Sequence, residues 1–181
     1  MDKKFEIASS ASHLFARESL RGIGVDHISA AVGASTRTLY KHFGSRDGLV
    51  LAALEARHGA FMDVLRNTNS DNSTIESLFD TLGEWLEKHG ASGCLLLRAS
   101  YEYGQENADI VTLVRHQKEE FLKEIAKRVH HVLGYENTLV SSQIWILFEG
   151  ATAIAGLQNL MAIRDAKAAA LSLIASAGGA Y

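Results

Sequence analysis

With 181 residues, 47% of them hydrophobic and 22% charged, the chain can bury a substantial core and is too apolar to be disordered. Its single cysteine, Cys94, excludes an internal disulfide and a cysteine-rich zinc site. The net charge of −3 is unevenly spread, with residues 1–48 summing to +2 and the remainder to −5, a basic end on an acidic body that suits alignment on phosphates. There is no proline, so long helices meet no obstacle. No apolar run of about 18 residues offers a membrane span, and no leader pattern opens the chain; a cytoplasmic protein with no membrane partner is expected.

Ile7, Ala11, Leu14 and Phe15 recur on one helical face and predict an amphipathic helix over residues 3–20, with Lys3 and Lys4 at its free end within reach of phosphates. Gly22 and Gly24 mark the break that follows, and Gly24 is placed to cap the next helix, with Asp26 in its first turn. The stretch Val25 to Leu49, VDHISAAVGASTRTLYKHFGSRDGL, then reads as two short helices about a tight turn and the start of a longer one. Ile28, Ala31, Val32, Ala34, Leu39 and Phe43 are its expected interior. Gly33 supplies the turn and Ser35 the N-cap of the second helix. That helix, Thr36 to His42, carries Thr36, Arg37, Thr38, Tyr40, Lys41 and His42 beside the inward Leu39. Hydroxyls, cations and an aromatic on one short helix are what a major-groove reader needs, although a solvated bundle helix can have the same composition.

The run IASSASHLFARESLRGIGVDHISAAVGASTRTLYKHFGSRDGLVLAAL resembles the N-terminal DNA-binding domain of the TetR family of transcriptional regulators over about residues 5–54. The most specific part is Gly33 to Leu49, with its glycine, small turn, short helix ending in Leu-Tyr-x-x-Phe, and Ser-Arg-acid start of a fourth helix. Where members usually have Gly-Tyr and one or two threonines before the second helix, this chain has Ser19-Leu20 and Ile23-Gly24, and no threonine contact is carried over. The resemblance implies an all-α homodimer: an N-terminal three-helix helix-turn-helix head over 1–48, and a C-terminal helical bundle over 49–181 for ligand binding and dimerisation. By position, Thr36, Arg37 and Thr38 would face base edges or nearby phosphates, with Arg37 suited to bond a guanine bidentately. Tyr40 and His42 match backbone-contacting positions, and Lys4, Ser35, Lys41 and Arg46 complete the DNA-facing set, Arg46 from the first turn of the fourth helix.

The body continues in helices, for about nine in total. A long helix runs from Ser45 through Leu49, Ala53, Phe61 and Val64 to about Arg66, and residues 67–73 form a polar connector. Ser73-Thr74-Ile75-Glu76 is a capping-box pattern with Ser73 at the N-cap, opening a helix that Gly90 stops. Gly93-Cys94 begins a shorter helix ending near Gly104, and Asn107 caps the next, which runs to about Leu133. The last two helices are expected over 139–161 and 166–177; Ile144, Leu147, Ala151, Ile154, Leu157 and Leu160 leave no polar face, and the resemblance assigns this pair to the dimer interface.

Polar and aromatic residues set in apolar helices, Trp85, His89, Arg98, Tyr101, Glu102, His116, Trp145 and Glu149, are candidates to line a small-molecule pocket, with Arg98 and Glu102 also spaced for a simple i, i+4 pair. The expected function is a dimeric transcriptional regulator, a repressor released from a palindromic operator in double-stranded DNA by a small-molecule effector. The alternative is a helical bundle that binds a ligand or works as a metal-dependent enzyme without DNA. Glu55-Ala-Arg-His58 has the Glu-x-x-His spacing of di-iron bundles, but lacks the second copy such a site needs. His130 and His131 point to different sides of a helix, and a lone Cys94 is more commonly a small buried thiol. No catalytic residue, metal or cofactor is expected.

Overall fold

The Asp2 carboxylate accepts a hydrogen bond from the Lys4 amide at 3.1 Å and so opens the first helix of the chain, seen here in a computed structural model that describes residues 2–67, 74–104, 106–157 and 160–178. Helix α1 (Lys3–Arg17) buries Ile7, Ala11, Leu14 and Phe15, the face its spacing predicts. It ends at Arg17, not at residue 20, because Glu18 is extended and Leu20 is withdrawn completely into the core. Helices α2 (Val25–Val32), α3 (Thr36–Phe43), α4 (Arg46–Asn67), α5 (Ile75–His89), α6 (Leu95–Tyr103), α7 (Ala108–Leu133), α8 (Thr138–Ile154) and α9 (Met161–Gly178) follow. Among the described residues all regular structure is helical, as the sequence predicts. No helix there is long and apolar enough to cross a membrane.

Further helix boundaries differ from the sequence reading, which starts the last helix at residue 166. Helix α5 is capped by Thr74, whose hydroxyl accepts from the Ser77 amide at 3.2 Å; Ser73 and the connector 68–73 lie outside the described residues. Near the end of the chain, α8 stops at Ile154 and α9 begins at Met161, whereas apolar composition carries the first of these helices to Met161. Backbone packing decides this: a Cβ on Gly156 would stand 2.3 Å from the Ala91 carbonyl oxygen, so the chain passes the 90–94 segment there at glycine-only distance. Leu160, at φ 64°, then turns it into α9.

The described chain divides into two compact units. One comprises Met1–Phe61 together with Leu95–Gln117. Its core joins Phe15, Leu20, Ile28, Leu39, Leu49 and Leu54 from the first four helices to Leu95, Ala99, Tyr103, Ile110 and Val114. The three N-terminal helices therefore share one core with α6 and the start of α7. The other unit comprises Met62–Cys94 and Lys118–Tyr181. There α9 packs against α8 and α5, and Phe148 lies between Phe79 and Phe121, with ring centroids 5.9 and 4.6 Å away.

The second unit also buries a charge that its sequence does not advertise. Arg128, 1% exposed, donates to Glu124 at 3.0 Å, to the Thr74 carbonyl at 3.0 Å, to the Ser77 hydroxyl at 2.8 Å and to the Leu65 carbonyl at 2.8 Å. It thereby joins the last turn of α4 to the start of α5. A guanidinium can sit in a core only with its donors used in this way.

Candidate nucleic-acid interface

Helix α2 begins at Gly24, which caps it in an extended conformation without a side chain, and ends at Gly33, whose φ of 64° reverses the chain at the cost only glycine avoids. The Ser29 hydroxyl donates to the Ala34 carbonyl, and the Ala34 amide donates to the Ser29 carbonyl at 3.1 Å, so the turn is tied on both sides. Ser35 then caps α3, accepting from the Thr38 amide at 3.2 Å. Val25, Ile28 and Val32 of α2 face Leu39 and Phe43 of α3 within the core cluster. Ala31, expected there, is exposed instead, lying to one side of the inner face that Val25, Ile28 and Val32 define.

Gly44, at φ 73°, ends α3, and the Ser45 hydroxyl accepts from the Gly48 amide at 2.9 Å as α4 starts. A Cβ on Gly48 would stand 2.1 Å from the Phe43 carbonyl oxygen, so α4 leaves the end of α3 at a distance that admits no side chain. Short, capped and seated against a backbone at both ends, α3 has little freedom to tilt.

The outward face of α3 carries Arg37, Tyr40 and Lys41, all exposed, with Arg37 three and four residues before the other two and so beside both. Thr36 and Thr38 are half-buried and occupied locally: Thr36 donates to Asp26 at 3.4 Å, and Thr38 shares a hydrogen bond with Ser35 at 2.9 Å. His42 is half-buried and tilted against Phe43. Lys4 is exposed, its ammonium 5.9 Å from the centre of the Phe43 ring, beside the C-terminal end of α3.

Arg46 takes a different place from the one its position in the motif suggested. Its guanidinium donates to the Leu20 carbonyl, to the Ile23 carbonyl at 3.2 Å and to the Tyr103 hydroxyl at 2.9 Å. With its donors directed inward, the side chain ties the 20–23 loop to α4 and has little left for a phosphate. Tyr103 in turn donates to Asp47 at 3.2 Å, and the Asn107 side chain donates to Asp47 at 2.8 Å. Burial pushes the Tyr103 hydroxyl above its ordinary pKa, with Arg46 opposing and Asp47 adding to the shift. Asp47, Tyr103 and Asn107 are functional neighbours of the head that no local signal marks, since each bond spans more than fifty positions of chain.

Two residues expected in a pocket also serve this unit. Arg98 donates to the Phe15, Ala16 and Glu18 carbonyls, at 2.6 and 3.0 Å for the first two, and so satisfies the C-terminal end of α1. Glu102 accepts from the Ser19 hydroxyl at 2.7 Å and the Arg21 amide at 3.0 Å. The Arg98–Glu102 pair is present but long, at 3.8 Å. Tyr101, 84% exposed, and His116, also exposed, belong to the same unit. Trp85, His89, Trp145 and Glu149 fall in the other unit. There the Trp85 and His89 rings lie 4.0 Å apart, and Trp145 donates to Glu149 at 3.1 Å. A surface cleft of about 340 Å³ between α7 and α8 is lined by Leu122, Ala126 and Ser141 among others, and by none of the eight.

The family model for bacterial regulatory proteins of the tetR family matches residues 7–53, the segment that builds this capped and seated α3. Residues 7–53 are thus those of a tetR-family N-terminal segment. Among curated proteins it is similar to the biofilm operon icaADBC HTH-type negative transcriptional regulator IcaR of Staphylococcus epidermidis, 26% identical over 83 residues. That match takes in 46% of this chain and spans 45%, about half, of the relative. In fold, a TetR-family transcriptional regulator from Streptomyces coelicolor superposes with a TM-score of 0.86 at 18% identity, over 96% of this chain and 88% of the other. A TetR transcriptional regulator from Chloroflexus aurantiacus gives 0.79 at 19% identity, over 95% and 93%. At these identities the likeness concerns the fold alone.

Proposed function

We propose that the chain is a dimeric DNA-binding transcriptional regulator, a repressor that leaves its operator when an effector binds the second unit. The observation that carries the reading is the exposed Arg37, Tyr40 and Lys41 on a helix held rigidly from behind. Arg37 reads a base edge; Tyr40, Lys41 and Lys4 hold phosphates; Ser35, Thr36 and Thr38 act first as the cap that aims the helix; and His42 supports its end. Arg46 acts from inside the fold. A short helix cannot select a genomic site alone, so a two-fold dimer presenting two copies of α3 about 34–36 Å apart, on a palindromic site, belongs to the same reading. Exposed apolar residues on and beside the last two helices, Leu139, Ile146, Ile154, Leu157 and Met161, support their use as the dimer face. Such a protein works in the cytoplasm, where its DNA is.

Electrophoretic mobility shift with the gene's own upstream region tests the proposal. Arg37→Ala is expected to weaken binding by about 1–3 kcal/mol, roughly fivefold to 150-fold, and to relax preference at one base pair. Lys41→Ala should weaken all sequences alike and lower the salt slope by about 1. No shift with any fragment, or a shift indifferent to salt, refutes the reading.

A further inference from the structure

Helix α2 brings a carboxylate to the edge of the face assigned to DNA. Asp26, exposed in the first turn of α2, accepts a hydrogen bond from the Thr36 hydroxyl at 3.4 Å. Thr36 is the first residue of α3, so the negative charge stands at the N-terminal end of that helix, ten positions further along the chain. The bond is long, and the second carboxylate oxygen, Oδ2, has no partner among the described residues. Asp26 bonds no amide of its own helix and pairs with no cation there, although the exposed Arg37 directly follows Thr36. The dipole of α2 favours an acid in its first turn, but a dipole does not account for a carboxylate held against the next helix.

A bare carboxylate is repelled by the phosphate backbone, so at a DNA face it contributes only where a base edge offers it a hydrogen. In the major groove two bases do so, cytosine at N4 and adenine at N6. Adenine sets its N7 acceptor beside N6, against the second carboxylate oxygen, whereas cytosine has only a C5–H there. The N-terminal residues of a recognition helix are the ones that meet base edges, and Asp26 is tethered to the first of them. We propose that Asp26 is a specificity-determining residue that reads a cytosine, accepting from its N4 amino group at the base pair whose guanine Arg37 reads or at the pair next to it. The two contacts are complementary on G·C pairs: guanine O6 and N7 accept the two donors of a guanidinium, and cytosine N4 donates to a carboxylate. Thr36 acts as the positioning residue, with its hydroxyl holding one carboxylate oxygen while the other stays open to the base.

The assignment rests on the DNA-binding reading, and selection from a randomised duplex pool distinguishes their failures. The full-length protein, Asp26→Ala and Asp26→Asn are carried through the same selection, and single-base variants of the enriched duplex are compared by mobility shift at one salt concentration. The parent is expected to prefer cytosine at one position of each half-site by about fivefold or more. Asp26→Ala should lose that preference and keep the others. Asp26→Asn should move it to adenine, because an amide accepts from N6 and donates to N7 together. The guanine preference lost in Arg37→Ala should lie at the same pair or the next. No cytosine preference in the parent, or one unchanged in Asp26→Ala, overturns the assignment. Tighter binding of every sequence by Asp26→Ala also overturns it, since that marks a carboxylate that only repels phosphates; an equal fall at all positions in both variants does so too, since that marks a structural acid. If the parent enriches no sequence and shifts no DNA, the regulator reading fails and the assignment with it, whereas enrichment that ignores Asp26 leaves the regulator standing.

Discussion

Replacing Arg98 with methionine separates a pocket residue from a clamp. The guanidinium donates to three carbonyls at the end of α1, Phe15, Ala16 and Glu18, and the helix keeps only the Glu18 amide bond to the Leu14 carbonyl as a backbone cap. A hydrogen bond from a charged donor contributes about 1.5–3 kcal/mol, and three give a gross figure of about 4–9 kcal/mol. The side chain is 29% exposed, so water can take over much of the lost bonding, and the net loss expected is about 2–3 kcal/mol. For a chain of this length that lowers Tm by about 4–12 °C, read by circular dichroism at constant pH. Arg98→Lys, a single point donor that reaches fewer carbonyls, should recover about half of the loss. Glu102→Gln, which weakens only the long ion pair and leaves an acceptor for Ser19, should cost less than about 1 kcal/mol. A Tm for Arg98→Met within about 1 °C of the parent would refute the clamp, since a shift that small is well under 1 kcal/mol.

Arg128→Met should destabilise the chain by about 3–5 kcal/mol in urea melts, because it strands the Glu124 carboxylate, whereas Glu124→Leu combined with Arg128→Met should recover most of that loss; an equal loss in both would show that the carbonyl bonds, not the ion pair, dominate. Gly48→Ala should cost about 1–3 kcal/mol and weaken the mobility shift by displacing α3, while Gly83→Ala, in open space on α5, should gain about 0.5–1 kcal/mol; a neutral Gly48→Ala would contradict the close approach. Burial first, then Arg57 and Arg17, hold the His13 pKa below its ordinary value. The folded state therefore favours the neutral ring, and its contribution to stability is present above about pH 6.5 and lost as pH falls through the folded value. By NMR titration Arg57→Gln should move that value up, and a His13 titrating at or above the ordinary value refutes the arrangement.

How far the sequence could be read depended on the range of the interaction concerned. Helix α3 and its cap were legible because Ser35, Leu39 and Gly33 act within a few positions of one another, through hydrogen bonds and a 3.6-residue repeat that are local by nature. The exposure of Arg37, Tyr40 and Lys41 follows from the same repeat. Thr74 caps α5 because its extended backbone brings its hydroxyl onto the Ser77 amide, an angle that residue types alone do not record. The extent of α8 was misread because apolar composition continues past Ile154, while the reason for stopping, the Ala91 backbone against Gly156, lies some sixty residues upstream.

Sequence alone therefore determined a helical fold with a helix-turn-helix near its start, since periodicity, capping and the family motif are written in neighbouring residues. Tertiary structure decided what the long polar side chains do. Arg46 looked like a phosphate ligand and Arg98 like a pocket residue, yet both guanidiniums end on backbone carbonyls of the head, and Lys118 ends on the half-buried Cys94. A guanidinium or ammonium takes whichever acceptors the packed helices leave within its reach, and those acceptors come together only when distant segments share a core.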